Sequence, residues 1–291
     1  MHKLGWIGLG HMGAPMAMNL LQAGYEVNVY NRSHEKTRGL VEKGAKQLNS
    51  SKEVVDQSDI IFIMLSDSNA VNNVLMLENG VLEAQTAGKV VINMSTISPE
   101  DALKFAGIIS ENGGQYLDAP VSGSVGAAMS GQLVILTGGD IQTLEEYKPY
   151  FDILGKSSIH FGTVGKGSSA KLAINMLLGI MGQGIAEALV FADKAGLDKE
   201  DVLALISQSG MNSPLFQAKK EMYRNEEFPS AFMLELMTKD LGLVKEAADL
   251  LGTTLPLAEV ANETFISAEK NGKAKLDMAA IYLEIKDRIT K

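Results

Sequence analysis

Apolar residues in the first part of the chain fall into short runs. Residues 4–9, 27–30, 60–65, 90–94, 115–118 and 133–137 each read as a strand, and residues 60–65 contain no polar position at all. A run of that kind is what a parallel strand buried on both faces requires. Between the runs the apolar positions take helical spacing. Met16, Leu20 and Leu21 lead to Gly24, and residues 35–43 are closed by Gly44. Alternation of strand and helix predicts βαβ units in a doubly wound parallel sheet. From about Gly167 the pattern changes: helices are predicted over residues 172–195, 199–207, 230–251 and 257–271, with few strand-like runs. The reading is therefore α/β, a doubly wound sheet over residues 1–164 followed by an all-α domain over residues 165–291. The glycine-rich stretch 162–167 is the junction, and no internal repeat or low-complexity tract interrupts either part.

The first strand runs into Gly8-Leu9-Gly10-His11-Met12-Gly13, a G-x-G-x-x-G pattern. Three glycines in six positions mean little alone. After a strand and before a helix, they form the dinucleotide-binding turn of a Rossmann-type sheet. Gly8 allows the tight turn, Gly10 lets backbone approach a pyrophosphate, and Gly13 lets the helix pack close to the strand. The helix start then offers N–H donors and a partial positive charge to phosphate. Leu9, His11 and Met12 complete the candidate turn.

The end of the second strand discriminates between cofactors. A carboxylate there would bind the ribose 2′-hydroxyl of NAD. The sequence instead reads Tyr30-Asn31-Arg32-Ser33. Arg32 can make a charge-assisted fork with a 2′-phosphate, helped by Asn31 and Ser33. NADP(H) is preferred, with NAD(H) possible; Arg32 as a solvated turn residue stacking on adenine would leave the choice loose.

Composition narrows the function further. Lys and Arg number 26 against 35 Asp and Glu, a formal net charge of −9. A basic nucleic-acid-binding surface is thereby disfavoured. The absence of cysteine removes disulfides, thiolate metal sites and thiol nucleophiles. No targeting segment and no apolar stretch of membrane-spanning length is expected, which points to a cytoplasmic protein. The four histidines, His2, His11, His34 and His160, lack metal-ligand spacing, so no metal site is expected.

Lys171 opens another possibility. It stands near the start of the predicted long helix, after Gly165-Lys166-Gly167, and Asn175 lies one turn further on the same face. A lysine held beside a substrate carbonyl could donate its proton, with Asn175 holding either the lysine or the substrate oxygen. By residue type alone, a solvated helix lysine is the better reading.

Several segments together change that balance. The stretch IGLGHMGAPMAMNLLQAG, residues 7–24, resembles the dinucleotide signature of the β-hydroxyacid dehydrogenases. Residues 118–124 (DAPVSGS) resemble that family's substrate-binding segment, residues 165–175 (GKGSSAKLAIN) its catalytic segment, and Lys239-Asp240-Leu241 a further motif whose lysine contacts the cofactor. The resemblance covers nearly the whole chain in order and spacing. It implies Lys171 as catalytic lysine with Asn175 as companion, Ser122, Gly123 and Ser124 as the substrate carboxylate site, and Thr96 beside the nicotinamide ribose and the substrate. It also implies Met64 and Leu65 along the cofactor, Phe232 closing over the substrate, Lys239 near the cofactor, and Asp240 in the catalytic group. Without the resemblance Phe232 reads as core.

Ser66, Ser124 and the stretches 131–136, 164–167, 193–197 and 256–263 are similar to the glyoxylate/succinic semialdehyde reductase branch, whose adenine loop also reads Asn-Arg. Val125-Gly126-Ala127-Ala128 departs from it, where lysines and proline are common. The expectation is an NADPH-dependent reductase of small aldehyde acids. The alternative is a 3-hydroxyisobutyrate dehydrogenase or tartronate semialdehyde reductase using NAD(P). An imine reductase or a non-catalytic cofactor-binding protein is disfavoured by Lys171 with Ser122, Asn175 and Asp240. The apolar helical half suggests a homodimer or homotetramer.

Overall fold

The structure is a computed structural model that describes residues 2–290 of the 291-residue chain. The chain divides into two compact units, one ending at Lys171 and the other beginning at Leu172.

The first unit is built from β1 (Leu4–Ile7), α1 (Gly13–Gln22), β2 (Val27–Tyr30), α2 (Arg38–Val41), β3 (Lys46–Gln47), α3 (Ser51–Asp56), β4 (Ile60–Ile63), α4 (Ser68–Met76), β5 (Val90–Asn93), α5 (Pro99–Glu111) and β6 (Gln115–Asp118). These are followed by β7 (Val121–Ser122), α6 (Val125–Met129), β8 (Leu133–Thr137), α7 (Ile141–Leu154) and β9 (Gly155–His160). Six strands form a parallel sheet in the order β3-β2-β1-β4-β5-β6. The order reverses direction between β1 and β4, the switch point at which open α/β sheets bind their ligands. β7, β8 and β9 make a smaller sheet, β7 antiparallel and β9 parallel to β8.

Side chains alternate across each strand, so one apolar run supplies two cores. Ile60 and Phe62 of β4 join Leu4 and Trp6 against Met16 and Leu20 of α1 and Phe151 of α7. Ile61 and Ile63 turn the other way, toward Val54 of α3, Val71 and Leu75 of α4 and Phe105 of α5. That double burial is why residues 60–63 tolerate no polar position.

A long helix, α8 (Lys166–Lys194), starts in the first unit and continues into the second. The second unit adds α9 (Lys199–Gln208), α10 (Pro214–Asn225), α11 (Leu234–Leu250), α12 (Pro256–Ala268) and α13 (Ile281–Thr290). Its core gathers Leu189 of α8, Leu203 of α9, Phe216 and Tyr223 of α10, Met237 and Leu241 of α11, and Phe265 of α12. α10 and α13 go beyond the helices that hydropathy predicts. α10 is mostly polar, and its periodic apolar positions (Phe216, Tyr223) are few, so hydropathy alone understates it.

One expectation is corrected. α8 is long and apolar enough to cross a membrane by length and composition. The many Ala, Gly, Met and Leu residues there raise hydropathy, whereas the expectation gave more weight to the polar Gln183 and Glu187. Those two bond each other at 2.7 Å, and Ala186, Leu189 and Val190 belong to the core of the second unit. One face of α8 thus packs in the core of the second unit, while Ile174, Leu177 and Phe191 on it are exposed.

Candidate active site

The glycine turn is set by clashes that side chains would cause. Gly8 has φ of +98°, and a Cβ there would run into the Met64 carbonyl oxygen. A Cβ on Gly13 would run into the Gly8 carbonyl oxygen. The turn is also tied down from three sides. Trp6 Nε1 donates to the Gly8 carbonyl at 3.0 Å, the Gly8 amide donates to Tyr30 O at 3.0 Å, and the Leu9 amide donates to Asn31 Oδ1 at 2.8 Å. Gly10, by contrast, is exposed and its Cβ would meet nothing within 4 Å. The space beside it is the cradle a phosphate needs. The start of α1 has no side-chain cap, while Ser50, Asp67, Ser98, Ser124 and Asp140 cap α3, α4, α5, α6 and α7. The Ala14 amide turns back to the Gly10 carbonyl at 3.1 Å and Pro15 has no N–H, so what α1 offers an anion is its positive end and the backbone of the turn before it. The turn fits a dinucleotide.

The other first-unit candidates sit on loops leaving the same edge of the sheet, because parallel strands all end there. Asn31, Arg32 and Ser33 follow β2; Met64 and Leu65 follow β4; Thr96 follows β5. Arg32 is exposed, whereas Asn31 spends its carbonyl on the Leu9 amide and its Nδ2 on Ser33 O at 3.0 Å. Asn31 therefore shapes the turn. Ser95 Oγ accepts from the Leu65 amide at 2.9 Å, joining the β4 and β5 loops.

β6 ends at Asp118, and Ser122 and Gly123 follow at and after β7. Gly123 has φ of +146°, and a Cβ would press on Leu133 and Ala127 at 2.8 and 3.1 Å. Ser124 caps α6, its Oγ accepting the Ala127 amide at 3.3 Å. Asp118 is buried, 1% exposed, and its two oxygens accept the amides of Gly165 and Ser168 at 3.1 and 2.7 Å. Burial raises its carboxyl above the usual range, against the amide bonds from Ser168 and Gly165, which lower it. Those amides open α8, and Lys171 follows within its first turns.

In the second unit, Asn175 and Asp240 are both buried, and Asn175 Nδ2 donates to Asp240 Oδ2 at 2.5 Å. Lys239 Nζ lies 2.9 Å from Asp240 Oδ1 in an ionic contact. Asn175, Lys239 and Asp240 thus form one cluster. Phe232 is anchored elsewhere: it is half-buried, packs on the core of that unit, and donates its amide to Asp277 Oδ2 at 3.0 Å.

Residues 3–163 match the profile of the NAD-binding domain of 6-phosphogluconate dehydrogenase, and residues 165–285 that of the NAD-binding region of NADP-dependent 3-hydroxyisobutyrate dehydrogenase. Glyoxylate/succinic semialdehyde reductase 1 of Arabidopsis thaliana is 39% identical over 98% of each chain. The chain belongs to the β-hydroxyacid dehydrogenase family. It is accordingly an NAD(P)-dependent oxidoreductase, as the motifs implied. The 2-hydroxy-3-oxopropionate reductase of Escherichia coli K12 is 38% identical over 96% of this chain and 95% of its own. A Mycobacterium tuberculosis 3-hydroxyisobutyrate dehydrogenase solved with L-serine superposes with a TM-score of 0.88 at 31% identity, covering 98% and 99% of the two chains.

Sequence reasoning overlooked Trp6 and Ser95 and gave Asp118 no role of its own. Trp6 is fully buried and stacks on Phe62 at 5.2 Å, which hides its bond to the turn behind an ordinary core position. The histidines His160 and His34 have local partners: His160 Nε2 is 3.0 Å from Gly139 O, and His34 Nδ1 is 3.1 Å from Gln47 Nε2. Among the described residues no group of three or more His, Asp or Glu could hold a metal.

Proposed function

We propose that the protein is an NADPH-dependent reductase of small aldehyde acids, with succinic semialdehyde and glyoxylate as the favoured substrates and Lys171 as general acid. The observation that carries the mechanism is the chain around Asp118. The strand end that leads to Ser122 and Gly123 is bonded to the amides that open the Lys171 helix.

The nicotinamide, when bound, supplies a hydride to the aldehyde carbon. Gly8 to Gly13 hold the pyrophosphate and Arg32 the 2′-phosphate, with Met64, Leu65, Thr96 and Lys239 along the cofactor. Ser122 and Gly123, with Ser124 and Thr96 alongside, hold the substrate carboxylate by hydroxyl and amide donors. As the carbonyl π-electrons move to oxygen, the Lys171 ammonium gives that oxygen a proton. Asp240 takes the Asn175 amide N–H₂ and so orients its carbonyl oxygen as an acceptor. Phe232 shields the substrate from water. These roles divide the chain functionally into a cofactor-binding part, residues 1–164, and a substrate and association part, residues 165–291.

The favoured substrates rest on the 39% identity with the Arabidopsis reductase. Tartronate semialdehyde, or oxidation of 3-hydroxyisobutyrate, is the second reading; it is favoured by the lysine-free Val125–Met129 helix beside Ser122. Phe191, Leu251 and Leu257 are 74%, 80% and 69% exposed, which supports a homo-oligomer built on the helical part. Light scattering in solution checks it, and a monomer refutes it.

Initial rates with each aldehyde and each hydroxy acid, using NADPH and NADH separately, test the assignment. The expected result is the highest kcat/KM for succinic semialdehyde or glyoxylate with NADPH. Equal rates with NADH would overturn the role of Arg32. Lys171→Ala is expected to lower kcat about 10²–10⁴-fold, and turnover near the parent level would overturn the mechanism.

A further inference from the structure

We infer that Asp118 is a positioning residue for Lys171, an inference that rests on the general-acid reading above. Asp118 ends β6 and is 1% exposed. Both carboxylate oxygens are committed, Oδ1 to the Gly165 amide at 3.1 Å and Oδ2 to the Ser168 amide at 2.7 Å. Its backbone is committed as well: the Asp118 amide donates to Gly138 O at 3.1 Å, and the Gly138 amide donates to Asp118 O at 2.8 Å. One residue thus ties the main sheet, the end of β8 and the first turn of the Lys171 helix together.

Two glycines make room for this. A Cβ on Gly138 would run into Asp118 Oδ1, and one on Gly167 would lie 2.9 Å from Asp118 Oδ2. The carboxylate is therefore boxed in by backbone. A helix start on a loop can move by an ångström at little cost, and an error of that size in a reacting group slows chemistry by about 10²-fold. Asp118 removes that freedom. It lies four positions before Ser122, so the carboxylate site and the proton donor share one fixed point. Asp140, the cap of α7, bonds only within its own first turn, to the amide and hydroxyl of Thr143, and serves as the comparison.

The test compares Asp118→Asn with Asp140→Asn, alone and combined with Lys171→Ala. In Asp118→Asn one amide N–H₂ faces a backbone N–H, so one of the two bonds is lost while the shape is kept. The expected result is kcat lowered about 10- to 100-fold, with the dissociation constant for NADPH changed by less than about twofold. Asp140→Asn is expected to leave kcat within about twofold. Combined with Lys171→Ala, Asp118→Asn should cost no more than about a further twofold, because the group it positions is already gone.

Unchanged kcat in Asp118→Asn, an equal loss in Asp140→Asn, or a full multiplicative loss in the double variant overturns the inference. If Lys171→Ala is inactive while Asp118→Asn is fully active, the positioning role fails and the general-acid reading stands. If Lys171→Ala turns over normally, the general-acid reading fails first. Should Asp118→Asn not accumulate folded, Asp118→Ser, which keeps a short acceptor for one amide, takes its place with the same expected pattern.

Discussion

The glycine turn of the first unit and the polar core of the second solve opposite problems. The turn works by leaving atoms out: Gly8 and Gly13 stand where any Cβ meets a carbonyl oxygen, and Gly10 borders open space. The helical unit works by burying charge and pairing it. Lys219 and Asp277 meet at 2.6 Å with exposures of 8% and 0%, and Asp277 also accepts the amides of Ala231, Phe232 and Ala279. Lys273 meets Glu284 at 3.0 Å, and Ser267 and Asn271 bond the same carboxylate. The turn spends the Gly8 and Leu9 amides on holding its shape and leaves open space beside Gly10. A structural core spends all of its donors internally. Added atoms should therefore damage the first region, and removed charges the second.

The largest expected effect is Asp277→Ala. It strands a buried lysine and three backbone amides, and should cost about 3–5 kcal/mol of stability in urea unfolding. A loss below about 1 kcal/mol would mean that the core relaxes around the gap, and the contrast would fail on that side.

Acid is expected to act next, and with opposite sign on two kinds of group. Burial opposes the Glu226 and Glu284 charges. Hydrogen bonds from Lys199 and Lys286 to Glu226, and from Ser267, Asn271 and Lys273 to Glu284, outweigh it and bring both carboxyls to about 2. Folded values below the ordinary 4.5 mean that this stabilisation is complete above about pH 4.5 and is lost as pH falls toward 2. Glu226 is about a third exposed, so its share is reduced by solvent screening. Asp118 runs the other way: its folded value is raised above 3.8, so binding its proton as pH falls favours the folded state. Urea titrations at pH 7, 4 and 3 should show stability falling, with Glu284→Gln flattening the fall. A parent curve without an acid limb would contradict the pairing.

Gly13→Ala comes third. It forces the Gly8 carbonyl away and should cost about 1–3 kcal/mol, with loss of NADPH binding. Gly10→Ala is the smallest and sharpest of the set. Its methyl has room in the fold, so the melting temperature should not move, but it enters the phosphate space, so NADPH affinity should drop about tenfold, or about 1.4 kcal/mol. Unchanged affinity in Gly10→Ala would remove the pyrophosphate from this turn.

Much of the first unit was legible because its signals are local. Residues 60–65 announce a strand buried on both faces, and Gly8, Gly10 and Gly13 encode the turn through spacing alone. The candidate positions Arg32, Ser122 and Lys171 were also readable, though the roles of Ser122 and Lys171 leaned on the family resemblance. Some features were not readable. β9, α10 and α13 lack clear hydropathy signals, and Ser124 gave no sign that its hydroxyl is used to cap α6.

The sequence by itself determined the class of fold and, through its motifs, the family, because apolar period and glycine spacing act over a few residues. Only the tertiary structure decided which distant groups meet. Asp118 and Gly165 are 47 positions apart, and Asn175 and Asp240 are 65 apart. No local period links such positions; they meet because strand order and helix packing bring them together, and burial then makes each unpaired charge or amide too costly to leave unsatisfied.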